Sequence, residues 1–316
     1  MRVASKPKAI PLSKRANVIY LEHARVVQKD DRVLYLTQEG SDVESFFNVP
    51  YRNTSILLLG QGTSLTSSAA RKLAEENVMV GFCGSGGSPL HASVDHVFMS
   101  GVSEYRPTEY MQAWMRLWMD DERRLEAAKA LLLERASITE RAWSSARWRD
   151  RTVMPMLEHS QKRFIERVKK AGTTTELLSA EAVLAKALYG KLADAHVIDG
   201  FVRTAGEGRK DGVRGTVNSF LDHGNYIAYG FAAVALHALG ISFALPVLHG
   251  KTRRGGLVFD MADLFKDAIV MPLAFDCAAR DVADNDFRGM LIEACREEGV
   301  VDMVIDTIKN LTQTTG

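Results

Sequence analysis

Cysteine is scarce in this chain: three in 316 residues, at Cys83, Cys277 and Cys295, far apart and in no C-x-x-C spacing. That argues against a disulfide framework and against a thiolate zinc ribbon, and a reducing cytoplasm is the expected setting. Net charge is also nearly absent, +1 at pH 7. A nucleic-acid partner would therefore have to be read from local clusters of Lys and Arg. The basic opening "MRVASKPKAIPLSKR" has no apolar core behind it, so no signal peptide is expected there. Nor is there an unbroken membrane-length apolar run. "YIAYGFAAVALHALGISFALPVL" carries His237, stops at Gly240 and meets Pro246, which predicts a buried core helix and no membrane span. Internal repeats and low-complexity linkers are missing too.

What is present suits a soluble, globular chain, with 46% hydrophobic and 25% charged residues and length enough for two domains. The first hundred residues have a strand texture: "VIYLEHARV", "RVLYLTQ" and "SILLLGQG" are short apolar runs divided by polar turns. The period then changes. Thr66 predicts a helix cap, 69–76 a helix, and "VMVGFC" a further buried strand. From Thr108 the texture is helical, with Met111, Trp114, Leu117 and Trp118 on one face. Further helices are predicted at 151–171, 175–195, 216–239 and 288–311, and the glycine-rich, basic stretch 203–215 reads as a mobile loop. The expected class is α+β: a small β-rich N-terminal domain, 1–100, then a larger all-α domain, 101–316, divided near 95–105.

"LLLGQGTSLTSSAA" follows the order strand, glycine turn, helix, as a dinucleotide-binding fingerprint would. Gly60 and Gly62 are there, but the third glycine position is Leu65, so dinucleotide binding is not expected.

Chemistry is concentrated further on. In "TTTELLSAEAVLAKALYGKLADA", Leu178, Ala182, Ala185 and Leu188 read as a core stripe with Glu181 at its edge. A carboxylate there has to be solvated, paired or metal-bound, because burying it bare is costly. In "LHGKTRRGGLVFDMADLFKDA", "LVFD" reads as a short extended return and "MADLFKDAI" as a new helix, with Asp260 as its N-cap and Asp263 three later. Capping explains Asp260, explains Asp263 less well, and leaves His249 unexplained. One imidazole with two carboxylates is a ligand set for Mn²⁺ or Mg²⁺. Lys251, Arg253, Arg254 and Lys266, with Arg203, Arg209, Lys210 and Arg214 in the loop, would give such a centre a cationic rim for a polyanion. Taken singly, each of these charges is equally a solvated surface residue.

The segment "VNSFLDHGNYIAYGFAAVALHALGISFALPVLHGKTRRGGLVFDMADLFK" resembles the hallmark region of the CRISPR-associated Cas1 integrases. The matching positions are Asn218, Tyr226 or Tyr229, Gly240, His249, Asp260 and Asp263. "LLSAEAVLAKALYGKLA" resembles that family's glutamate helix, with Glu181 and Tyr189, and "LLLGQGTSLTSSAARKLAEENVMVGFCGSGG" resembles its β-domain signature. The resemblance implies a β-sandwich-like N-terminal domain for dimerisation and partner contacts, and an all-α catalytic domain. It implies a cytoplasmic, prokaryotic homodimer that works with Cas2, and the chain looks most like the type I-F branch, where Cas2 is fused to Cas3. Glu181, His249 and Asp263 would be the ligands of Mg²⁺ or Mn²⁺, with Asp260 in support.

The implied activity is that of a metal-dependent DNA endonuclease and integrase of CRISPR adaptation. The 3′-hydroxyl of a double-stranded fragment would attack a phosphodiester at a repeat boundary, and branched DNA would be a substrate for the reverse reaction. The alternative is a non-catalytic DNA-binding scaffold in which the carboxylates and His249 are salt-bridge partners.

Overall fold

A computed structural model describes residue 15 and residues 17–37, 46–82, 97–99, 108–145, 155–204, 212–250 and 255–313. The chain divides into two compact units, Met1–Arg106 and Pro107–Gly316.

Among the described residues the first unit holds two four-stranded sheets. β1 (Asn17–Leu21), β5 (Thr54–Leu59), β7 (Met79–Phe82) and β8 (Val97–Met99) form one, in the order β1-β5-β7-β8, with β1, β5 and β7 parallel. β5 is buried along its whole length, as its unbroken apolar run requires of a central parallel strand. The other sheet runs β4 (Phe46–Asn48), β3 (Arg32–Thr37), β2 (Ala24–Lys29), β6 (Ser64–Leu65). β2 and β3 are joined across Asp30 and Asp31, both at positive φ (50° and 60°), the geometry of a tight type I′ hairpin. That turn sets the register Lys29↔Arg32 through Ala24↔Thr37.

Helix α1 (Ser67–Glu75) starts where expected, with Thr66 Oγ1 accepting from the Ala69 N–H at 3.4 Å. Val26 and Val33 from one sheet, Leu57, Leu59 and Val80 from the other, and Leu73 from α1 share one core. The "GQG" turn is absorbed by packing. A Cβ at Gly60 would lie 2.4 Å from the Tyr20 hydroxyl, and Gly62 has φ +69°.

The second unit is helical among the described residues. Its helices are α2 (Thr108–Met119), α3 (Asp121–Ser144), α4 (Glu158–Lys170), α5 (Thr174–Ala195), α6 (Val213–Ala238), α7 (Gly256–Phe265), α8 (Met271–Ala279), α9 (Asp284–Glu297) and α10 (Val300–Gln313). A five-residue π turn, Lys266–Val270, links α7 to α8. The expected helices change at several points, and Val213–Gly215, expected in the loop, open α6. The 288–311 helix is two helices, α9 and α10, parted at Gly299 with φ +62°. The apolar stripe of α5 is Leu177, Ala180, Leu184, Leu188 and Leu192, while Leu178 is exposed. Packing against α4 turned the buried face away from Leu178, Ala182 and Ala185.

α5 opens with a variant of the capping box: Thr173 Oγ1 accepts from Glu176 N at 3.2 Å, and Glu176 Oε2 accepts from the N–H before the cap, Gly172 N, at 2.6 Å. α6 stops at Gly240 (φ +69°), where Ile241 N donates to Leu236 O at 3.0 Å. The chain that follows is pinned from α2. Trp114 Nε1 donates to Leu245 O (3.1 Å) and Trp118 Nε1 to Pro246 O (2.7 Å). α7, the π turn and α8 are buried on nearly all sides, so their polar side chains have to find partners inside the protein. No helix among the described residues is long and apolar enough to cross a membrane.

Candidate metal centre

α7 begins five residues before the expected helix start. Gly255 at φ +69° turns the chain, Leu257 N donates to Phe243 O at 3.1 Å, and "LVFD" lies inside the helix. The reading of "LVFD" as an extended return is therefore corrected, and with it Asp260 as an N-cap. A fifth-position carboxylate cannot reach the first N–H groups of its own helix. Asp260 instead caps the neighbouring segment. Its Oδ2 accepts from Val247 N (2.6 Å) and Leu248 N (3.1 Å), and its Oδ1 accepts from His249 N (3.1 Å).

The same Oδ1 lies 2.7 Å from His249 Nδ1. An ionised carboxylate only accepts, so Nδ1 carries a proton, and in the neutral ring it is Nε2 that keeps the lone pair. That Nε2 lies 3.5 Å from Asp263 Oδ2. Asp263 sits one turn beyond Asp260 on the same helical face, and Glu181 comes from α5. Glu181, His249 and Asp263 each offer a ligand atom, and these atoms lie within 4.8 Å of one another.

Two cations are built into the cluster. Lys266 Nζ pairs with Asp263 Oδ1, and Arg135 on α3 reaches three carboxylates. Burial works against the imidazolium of His249, but the hydrogen bond to Asp260 and the charges of Asp263, Asp260 and Glu181 outweigh it, so its pKa is raised. For Asp263, burial alone would favour the neutral acid; Lys266, Arg135 and His249 reverse that and its pKa is lowered. Burial likewise opposes the charge of Lys266, and Asp263 chiefly reverses it, holding the ammonium above its ordinary pKa.

These residues fit a hard or borderline divalent cation. The donors are one imidazole nitrogen and carboxylate oxygens with no thiolate among them. The ring is oriented from behind by a carboxylate, the arrangement that fixes metal-ligating histidines. With a neutral imidazole, Glu181, Asp260, Asp263 and Asp267 against Arg135 and Lys266 leave two negative charges, which one divalent ion neutralises.

Of the rim residues named from sequence, Lys266 lies at the cluster. Arg203 is committed inward: it pairs with Asp222 and donates to Asn218 Oδ1 (3.1 Å) and Thr204 O (2.9 Å). Asn218 in turn donates to Val202 O (3.0 Å) and Arg214 O (3.1 Å), tying 202–204 to the first turn of α6. Arg214 is exposed, with Nη1 3.5 Å from Gly200 O. Arg209, Lys210, Lys251, Arg253 and Arg254 lie outside the described residues. The hallmark tyrosines line the cluster's aromatic side. Tyr226 packs on Tyr229, Tyr229 on Phe259, and Lys266 Nζ sits 5.2 Å from the Tyr229 ring centre. Tyr189 packs between Phe201 and Phe275, and burial raises its pKa.

Arg135 and Asp267 were missed from sequence. Both left a signal. Arg135 falls on the buried stripe of α3 among Leu131, Leu132 and Ala136, and Asp267 continues the spacing of Asp260 and Asp263.

The family description "CRISPR associated protein Cas1" matches residues 18–296. The CRISPR-associated endonuclease Cas1 of Pseudomonas aeruginosa is 43% identical over 321 residues, covering 98% of this chain and 96% of that protein. That of Pectobacterium atrosepticum is 42% identical over 312 residues, covering 96% and 94%. Among solved structures, that of TtCas1 superposes with a TM-score of 0.69 at 24% identity, covering 95% of this chain and 98% of that one. A CAS1 protein from Thermotoga maritima superposes at 0.72 with 15% identity, covering 93% and 96%. The fold is shared with these structures, and by the family match and the two long alignments above 40% identity the chain belongs to the Cas1 family of CRISPR-associated endonucleases.

Proposed function

We propose that Glu181, His249 and Asp263 hold Mg²⁺ or Mn²⁺ and form the centre at which this Cas1 endonuclease cuts and joins DNA in CRISPR adaptation. The observation that carries the reading is the His249 ring. Asp260 accepts a hydrogen bond from Nδ1–H, and Nε2 is left facing carboxylate oxygen. When bound, the ion would supply Lewis-acid neutralisation of charge developing on a phosphodiester.

The chain's own residues do the rest. Asp260 keeps the imidazole in the ligating tautomer, and Lys266 adds a fixed positive charge beside Asp263. Lys251, Arg253 and Arg254 follow His249 closely in sequence and are residue types that bind phosphate. In joining, the attacking 3′-oxygen bonds to phosphorus while the bond to the outgoing 3′-oxygen breaks. One proton leaves the first oxygen and one reaches the second, so no nucleotide is hydrolysed. Water in place of the 3′-hydroxyl makes the reaction a cleavage.

The DNA complex described for TtCas1 supports DNA as the substrate class. Homodimerisation through the β-rich unit and assembly with Cas2, as a Cas2/Cas3 fusion, complete the proposal. The scaffold alternative accounts for the Glu181–Arg135 and Asp263–Lys266 pairs and for His249 as an imidazolium between Asp260 and Asp263, so strand chemistry is what separates the two readings. The test is incubation of labelled linear and branched DNA with the full chain and with its Glu181→Ala and His249→Ala variants, with Mn²⁺ or with EDTA. Metal-dependent joining and cleavage by the wild type alone is expected. Undiminished joining by His249→Ala would sink the assignment, and DNA binding with no strand chemistry under any condition would favour the scaffold.

A further inference from the structure

Arg135 is the one charged residue on the buried face of α3, 4% exposed among Leu131, Leu132, Ala136 and Ile138. Burying a guanidinium there is poor value for stability alone. Well-packed apolar replacements of buried ion clusters are often neutral or stabilising. Its geometry suggests what it does instead. Nε donates to Asp267 Oδ2 at 2.6 Å, while Nη1 donates to Glu181 Oε1 at 2.5 Å and lies 3.8 Å from Asp263 Oδ2. One edge of the planar fork is thus anchored, and the other touches two acids from two different helices.

The anchor is itself held. Asp267 is fully buried in the π turn, and its Oδ1 has no hydrogen-bond partner among the described residues. Its backbone carbonyl accepts from Trp143 Nε1 at 3.0 Å, which ties the turn back to α3. π turns of this kind are frequent where a helix places functional side chains.

We propose that Arg135, anchored by Asp267, is a positioning residue that holds Glu181 and Asp263 at ligand spacing. Divalent-cation affinity then depends on the shape of its guanidinium rather than on its charge. This rests on the reading of Glu181, His249 and Asp263 as a metal centre. A ligating carboxylate uses one oxygen for the ion and the other for a hydrogen bond that fixes its orientation. Lysine at 135 would carry the same charge but, as a single point donor, could not span Asp267 and Glu181 together.

Two variants keep the cluster's net charge and remove the fork: Arg135→Lys, and the double replacement Arg135→Met with Asp267→Leu. Mn²⁺ binding to the full-length chain is measured by calorimetry, beside thermal melting of each variant. The expected result is a Kd for Mn²⁺ raised by about 10–100-fold in both. The double variant should melt at or above the wild-type temperature. Wild-type affinity in either folded variant overturns the proposal, because charge balance alone would then suffice. Failure of both to fold overturns it as well, assigning Arg135 to the core. Wild-type Mn²⁺ affinity in Glu181→Ala would instead remove the metal centre, and this proposal with it.

Discussion

Replacing Asp260 by Asn separates the orienting role of this side chain from its size. The native carboxylate accepts four hydrogen bonds: backbone N–H groups of Val247, Leu248 and His249, and His249 Nδ1. An amide of the same shape offers one oxygen and one NH₂. With its oxygen toward Val247 and Leu248, the NH₂ faces the His249 backbone N–H and Nδ1. One buried donor is then unsatisfied, and Nδ1 has to become an acceptor. The ring proton moves to Nε2, the nitrogen that faces Asp263, and ligation is blocked. The opposite flip leaves two buried N–H groups facing NH₂, which costs more.

One orphaned donor costs about 1–3 kcal/mol. For a helical unit of this size that corresponds to roughly 2–12 °C in melting temperature. The effect on ion binding and strand joining should be larger, about 10–100-fold, the usual consequence of losing a histidine's orienting acid. Differential scanning calorimetry, Mn²⁺ titration and a strand-joining assay on one preparation decide it. Wild-type joining by a folded Asp260→Asn chain would refute the tautomer argument.

The raised pKa of His249 sets a pH dependence with opposite signs for folding and for ion binding. The metal-free chain holds the full stabilisation of the imidazolium below the ordinary value of 6.5 and loses it as pH rises through the raised one, whereas ion binding needs the neutral ring. Mn²⁺ affinity should therefore weaken on acidification already above pH 6.5, and calorimetry across pH 6 to 9 in which affinity stays flat would contradict this. Burial pushes the Cys277 thiol up to about 11 and the Cys295 thiol higher still, so neither should react with a disulfide reagent at pH 8 until the chain unfolds. Peptide mass spectrometry of the labelled native chain reads that directly. A methyl at Gly224 would sit 2.5 Å from Val270 Cγ1, where α6 meets the π turn, so Gly224→Ala should lose about 1–3 kcal/mol in urea unfolding. Wild-type stability would show that the turn yields easily.

Local signals in the chain carried much of the architecture. The change from short apolar runs to helical period near Thr108, the Thr66 cap and the stop at Gly240 all act within a turn or two of themselves, and each appears in place. Glu181, His249 and Asp263 stood out singly in the sequence, and it took a family resemblance to connect them. The face of α5 was misread by about one residue, because a helix with small side chains all round leaves its buried side to whatever packs on it. Gly299 was passed over within a run whose apolar spacing continues on both sides.

What composition, period and caps determined by themselves was a β-rich front, a helical back and a short roster of acids with one unexplained histidine. Tertiary structure alone decided which groups those acids meet. Asp260 looks like a helix cap in sequence and becomes the orienter of His249, because α7 starts earlier and lies beside 247–249. Arg135 reads as one charge in a charged helix. It becomes the hub of the cluster because its partners are 46 and 132 residues away, beyond anything a local pattern encodes. Hydrogen bonds and ion pairs of this range follow from how helices pack, and packing is a property of the whole core rather than of any one segment.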